Sequence, residues 1–234
     1  MSTSSSFSMR RKLRRSFMAL RAQVVKTFSD DIGGVVATAE TVHGWIAGEA
    51  AKQMALASYN LPDNATVVEI GVFMGRSTVL LGAPRRLKGS GKVHSIDPFD
   101  CSGDAHSAAH YRNELVMTGQ SSVEQAFKKN VSQVKLDDWV QVHKGTSSAV
   151  ASTWTSPIDL LLLDGDQSPQ GAREAFDSWF PFLKKGGILV LSNTGDRAYS
   201  GGHDGNRRLS VEAVIPPQFQ SIRQVGYFRF AEKA

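Results

Sequence analysis

A single cysteine, Cys101, excludes an intrachain disulfide and a zinc site built from several cysteines. No apolar run approaches the roughly 20 residues that span a bilayer, no segment repeats, and no acidic residue precedes Asp30. A lone thiol suits a reducing compartment, so a cytoplasmic location is expected. What is present is sufficient for one core: 234 residues, 41% hydrophobic and 21% charged, need no second domain.

The missing acid at the start has a consequence. Residues 1–29 hold Arg10, Arg11, Lys12, Arg14, Arg15, Arg21 and Lys26, which leaves 20 of the 27 basic residues against all 22 acidic ones elsewhere, a balance of −2. Leu13, Phe17, Leu20, Val24 and Phe28 recur at helical steps on that segment. Residues 1–40 are therefore expected to form a basic amphipathic arm, and 41–234 the folded domain. Such an arm suits an anionic membrane surface, which would make the protein peripheral there, or an acidic partner; the alternative is packing on its own domain.

Val67–Ile70 reads as a buried strand that runs through a turn, Gly71 to Gly75, into a helix. In α/β proteins nucleotides bind at such a turn. It has three residues between the glycines and arginine where a P-loop has lysine, and it lacks the middle glycine of a dinucleotide fingerprint. Glu69 beside the turn suits a ligand with an ammonium group, such as S-adenosylmethionine, better than a polyphosphate. Glu69, Gly71, Gly75 and Ser77 are the cofactor-binding candidates of this stretch.

Further strands follow in order. Lys92–Asp97 ends in an acid at the spacing that takes a ribose diol. Trp139–His143 leads into Gly145 and Thr146, which either line an adenine or cap the next helix. Ile158–Leu163 is apolar almost throughout, as a strand covered on both faces should be, and ends in Asp164-Gly165-Asp166. A helix over 171–183 and a turn over 184–187 precede Ile188–Leu191, with Ser192 and Asn193 at its end. Two alternating runs around Gly226 suit an antiparallel pair. The fold class predicted is α/β, a doubly wound Rossmann-like seven-stranded sheet, mostly parallel with an antiparallel C-terminal strand.

The order of these blocks resembles the class I S-adenosylmethionine-dependent methyltransferases over residues 41–234. It is most like a small bacterial O-methyltransferase-like group acting on sugars, natural products and glycoconjugates, with Asp97-Pro98-Phe99-Asp100, Asp164-Gly165-Asp166 and the Leu183–Gly187 stretch as landmarks. The resemblance implies that Glu69, Gly71 and Gly75 shape the cofactor turn, Asp97 holds the ribose, and Asp164 lies near the methionine end. Two positions depart from it. Gln167 stands where the group has histidine, and Ser192 replaces a carboxylate of the cation-dependent relatives, leaving Asp164 and Asn193 as ligands of a weakened Mg²⁺ site.

Methyl transfer to a hydroxyl needs orientation and proton removal. The candidates for the base are Asp164 and Asp166, with His106 and His203 on two polar loops, 100–130 and 196–208, that would select the acceptor. A small-molecule or glycan acceptor is expected, and no nucleic acid. The alternatives are a cofactor-binding scaffold without catalysis, suggested by Gln167 and Ser192, and a nicotinamide oxidoreductase, which the glycine spacing disfavours. Tyr227, Phe230 and the tryptophans Trp45, Trp139, Trp154 and Trp179 are assigned to packing.

Overall fold

The computed structural model describes residues 31–197, 199 and 202–234. The basic segment 1–30 and its expected membrane or partner contacts lie outside the described residues. Residues 32–40, the rest of the predicted arm, form helix α1 (Ile32–Glu40), whose Val35 and Ala39 are buried in the core.

The chain alternates strands and helices. α2 (Gly48–Tyr59) precedes β1 (Thr66–Ile70), α3 (Arg76–Lys88), β2 (Lys92–Asp97), α4 (Ala105–Thr118), α5 (Val123–Gln133) and β3 (Val140–Lys144). Then come α6 (Ser147–Ala151), β4 (Ile158–Leu163), α7 (Pro169–Trp179), β5 (Leu183–Leu191), α8 (Gly205–Glu212), β6 (Phe219–Val225) and β7 (Phe228–Lys233). The sheet has seven strands in the order β3-β2-β1-β4-β5-β7-β6. β1 to β5 pair in parallel, and β7 runs antiparallel to both β5 and β6. The predicted fold class is thus the observed one.

Alternation along the strands divides the core into two layers. Val67, Leu160, Leu162 and Val190 face a layer with α1, α2, α3 and α5, whereas Val68, Leu161, Leu163, Leu189 and Leu191 face one with α7 and α8. All six residues of β4 are buried, which explains its unbroken apolar run. The strand order reverses between β1 and β4, so the loops after these strands diverge and open a crevice.

Two elements differ from the sequence reading. Residues 100–130 are helical for most of their length, because Asp104 accepts from the His106 and Ser107 amides and Ser122 from that of Gln125, capping α4 and α5. The same polar residues read as loop in isolation. β5 also begins at Leu183 instead of Ile188: Leu183 pairs with Ile158, and a register shift between Ile158 and Leu160 absorbs the Lys184–Gly187 stretch into the strand.

Candidate active site

The carboxyl ends of β1 to β5 converge on one cavity of about 710 Å³, a size that suits a cofactor and part of a second ligand. Three non-glycine residues on its wall, Phe73, Cys101 and Asn193, have left-handed backbones with φ of +47°, +57° and +50°. Such conformations cost energy and cluster at ligand sites.

The turn after β1 is fixed from two sides. Gly71 has φ +83°, and a Cβ there would lie 2.4 Å from the Asp164 carbonyl oxygen, so only glycine lets the β1 and β4 loops pass this closely. From the other side Asp97, at the end of β2, accepts from the Val72 amide at 2.9 Å, the Phe73 amide at 3.4 Å and the Phe99 amide at 2.7 Å. Burial raises its pKa against these backbone donors. Asp97 lines the cavity as expected of a ribose ligand, but it also holds the turn in place.

Glu69 and Gly75 are placed differently from the reading of the turn. Glu69 is fully buried under the loop, receives hydrogen bonds from the Thr78 hydroxyl at 2.6 Å and the Ser95 hydroxyl at 3.2 Å, and does not line the cavity. Burial pushes its pKa up to about 7. Strand alternation turns this side chain toward α3, so it cannot face a ligand's ammonium group. Gly75 opens α3 against the Phe127 ring and is also absent from the wall. Ser77, Gly145 and Thr146 do line it. Thr146 additionally caps α6 through the Ala149 amide at 3.3 Å.

Asp164 and Asp166 both line the cavity after β4, and burial pushes the Asp164 pKa up to about 7 against a hydrogen bond from Ser192. Asp166 is exposed and accepts from the Ser168 amide at 2.8 Å. Gln167 is buried and donates to Ser192 Oγ at 3.0 Å, while its own Oε1 has no partner among the described residues. That leaves a desolvated acceptor on the cavity wall.

Next to this group, Asp104 Oδ1 lies 3.0 Å from His203 Nδ1, and Asp104 Oδ2 accepts from the Gln167 amide at 3.3 Å. Burial alone would raise the Asp104 pKa, but hydrogen bonds from Ser107 and His203 outweigh it and hold the carboxyl below its ordinary value. On the other side of the ring, His203 Nε2 is 3.4 Å from Asn193 Nδ2, and Asn193 Oδ1 accepts from Arg197 Nη2 at 3.0 Å. This chain fixes the tautomer. Arginine only donates, so the oxygen of Asn193 faces Arg197 and its amide nitrogen donates to His203 Nε2. Nε2 is then the basic nitrogen, and Nδ1–H points to Asp104. His106 packs its ring 4.7 Å from that of His203.

These contacts do not suit a Mg²⁺ site on Asp164 and Asn193. The oxygen that Asn193 would offer faces a guanidinium, and among the described residues no group of three or more His, Cys, Asp or Glu side chains could hold a metal.

Two aromatic assignments change. Trp45 is 52% exposed and stacks on Phe73 with ring centroids 4.9 Å apart, and Phe73 stacks in turn on Tyr111 at 4.9 Å, forming one wall of the cavity. Tyr227, 53% exposed, lines another part. Phe230 and Trp179 are core residues, as predicted. Asp104, Tyr111 and Arg197 fall in the two stretches, 100–130 and 196–208, expected to select the acceptor, although the sequence assigns none of them an individual role; Trp45 lies outside both, and only Asp104 carries a local signal, the Asp-x-x-Ser pattern of a helix cap.

Comparison with known proteins gives three results. The sequence model of a family described as "Methyltransferase domain" matches residues 68–194. A curated relative, an uncharacterized protein R132 of Acanthamoeba polyphaga mimivirus, is 25% identical over 138 residues, covering 59% of this chain and 55% of that protein. The matched region thus spans about half the length of that relative. Among solved structures, an O-methyltransferase from Bacillus cereus in complex with SAH is similar with a TM-score of 0.57 and 17% identity, over 88% of this chain and 90% of that one. The O-methyltransferase TomG from Streptomyces achromogenes, involved in tomaymycin synthesis and solved with SAM, gives 0.55 and 18% over 81% and 82%.

Proposed function

The chain belongs to the methyltransferase-domain family, and on that premise we propose that it binds S-adenosylmethionine at the ends of β1 to β4 and methylates a hydroxyl, with His203 as the base. The observation that carries this reading is the Asp104–His203–Asn193 chain at the rim of the cavity that Asp164 and Asp97 also line.

The residues present fit the cofactor. Gly71 lets the β1 and β4 loops close together beside the site, Asp97 offers a carboxylate to the ribose diol, Gly145 and Thr146 border the adenine side, and Asp164 with Gln167 Oε1 offers acceptors to the ammonium group. When bound, S-adenosylmethionine supplies a sulfonium-activated methyl group, so no further electrophilic activation is required. The chain's own task is orientation and proton removal. His203 Nε2, whose lone pair faces the Asn193 amide, would exchange that contact for the acceptor hydroxyl and take its proton as the methyl group passes from sulfur to oxygen. Asp104, held anionic by its hydrogen bonds, keeps Nδ1–H in place and stabilises the resulting imidazolium, as the orienting carboxylate of a hydrolase triad does. The acceptor is a sugar, polyol or other hydroxylated ring, for which the Trp45–Phe73–Tyr111 wall supplies a stacking face.

Calorimetric titration with S-adenosylmethionine, NAD and ATP tests the cofactor. Binding of the first alone is expected, and NADH binding without affinity for S-adenosylmethionine overturns the assignment. Turnover of labelled S-adenosylmethionine over a panel of sugars, polyols and phenols tests the reaction, with His203→Asn expected to bind cofactor normally and fail to turn over.

A further inference from the structure

Arg197 stands apart from the other basic residues of the cavity. Arg76, also on its wall, spends its guanidinium on the carbonyls of Val42, Ile46 and Glu40. Arg197 instead lies between two aromatic faces, 4.9 Å from the Tyr199 centroid and 4.6 Å from that of Tyr227. Among the described residues its side chain makes one hydrogen bond, to Asn193 Oδ1, and no ion pair. The surroundings keep it there. The Tyr199 hydroxyl donates to the Gly195 carbonyl at 2.8 Å, and Tyr227 packs so tightly on Gly195 that a Cβ would meet the ring at 2.6 Å. Cation–π contacts fix the plane of the guanidinium without consuming its N–H edge. A guanidinium flanked by two rings on a cavity wall, with one hydrogen bond among the described residues, can receive a carboxylate or phosphate in a bidentate manner.

We propose that Arg197 is an anion-binding subsite for the acceptor, so that the hydroxylated ring methylated here carries a carboxylate or phosphate group. The inference rests on the methyltransferase reading above. It assigns the anion to the acceptor and not to the cofactor's own carboxylate because Arg197 is joined to the base: Asn193 bonds to Arg197 through Oδ1 and contacts His203 through Nδ2. The cofactor acid Asp97 and the Gly71 turn follow β2 and β1, on the far side of β4 from β5. An anion on the guanidinium would place the rest of the acceptor beside His203 Nε2.

The test uses the full-length protein saturated with S-adenosylhomocysteine and matched probes: glucose against glucuronate and against glucose phosphate, and catechol against protocatechuate. At least one anionic probe is expected to bind about ten-fold more tightly than its neutral partner, and Arg197→Gln should bring that ratio to about one. Arg197→Lys, with the charge but not the planar fork, should retain part of the preference. The two anionic sugars separate carboxylate from phosphate recognition. Absence of preference for every anionic probe, or a preference that survives Arg197→Gln in a variant with wild-type melting, overturns the proposal. So does an Arg197→Gln loss confined to S-adenosylhomocysteine affinity, which would give Arg197 to the cofactor. Failure of the wild type to bind S-adenosylhomocysteine at all would instead defeat the methyltransferase reading.

Discussion

Asp104 and His203 are 99 residues apart and meet with Oδ1 and Nδ1 separated by 3.0 Å. The contact ties the start of α4 to the segment before α8, so that one carboxylate serves as a helix cap and, in the proposed mechanism, as the orienter of the base.

These two roles of Asp104 can be separated. Asparagine caps a helix about as well as aspartate but carries no charge and turns an NH2 group toward donors that the carboxylate accepted from, so Asp104→Asn should keep the α4 cap, lose some stability at the Gln167 and His203 contacts, and lose at least about ten-fold in kcat. Asp104→Ala should also lose about 1 kcal/mol of stability with the cap. His203→Asn should lower kcat by about 100-fold or more with cofactor affinity retained. Single-turnover rates and thermal melts on the three variants check this, and wild-type turnover in His203→Asn would remove the histidine from the mechanism.

Cofactor binding should release a proton near neutrality. Burial sets the Asp164 pKa at about 7, so at that pH the carboxyl is half protonated, and a cationic ligand beside it favours the anion. Affinity for S-adenosylmethionine should therefore rise as pH increases through about 7 and level off above it. Calorimetry in buffers of different ionisation enthalpy measures the released proton, which should vanish in Asp164→Asn. A flat pH profile in the wild type would contradict this placement of Asp164.

Glu69 makes a prediction about stability alone. Its pKa is raised from 4.5 to about 7 in the folded protein by burial. The native state therefore holds a proton that the unfolded chain has lost between those values, and the stability this group contributes is full below the lower value and lost as pH rises through the upper one. Glu69→Gln removes the titration. The variant should gain relative to wild type with rising pH, by about 1–3 kcal/mol above neutrality. Denaturant titrations at acidic and alkaline pH measure the difference, and a constant offset would rule out a buried, titrating Glu69.

Asp97→Ala should weaken both cofactor binding and the fold. The sequence assigns this acid to the ribose alone, but three backbone amides donate to it. Their loss should cost about 1–3 kcal/mol in unfolding free energy, alongside a drop in S-adenosylmethionine affinity. A variant with unchanged melting would show that the turn does not depend on the carboxylate.

The order of strands and helices, the glycine turn after β1 and the acids ending β2 and β4 were readable along the chain, because each depends on neighbours within a few residues. Alternation, left-handed backbone and helix caps are local properties, and a parallel βαβ array follows from their sequence order. Even the burial of Glu69 was implicit in β1, where it alternates with the inward residues of the opposite layer. Tertiary structure decided the rest. Which polar residue faces the cavity depends on contacts between loops that follow different strands: Asp104 meets His203, Arg197 slides between Tyr199 and Tyr227, and Trp45 stacks on Phe73 from before β1. No local pattern encodes such pairings, since hydrogen bonds and ring contacts between distant segments are set by how the whole sheet brings its loop ends together.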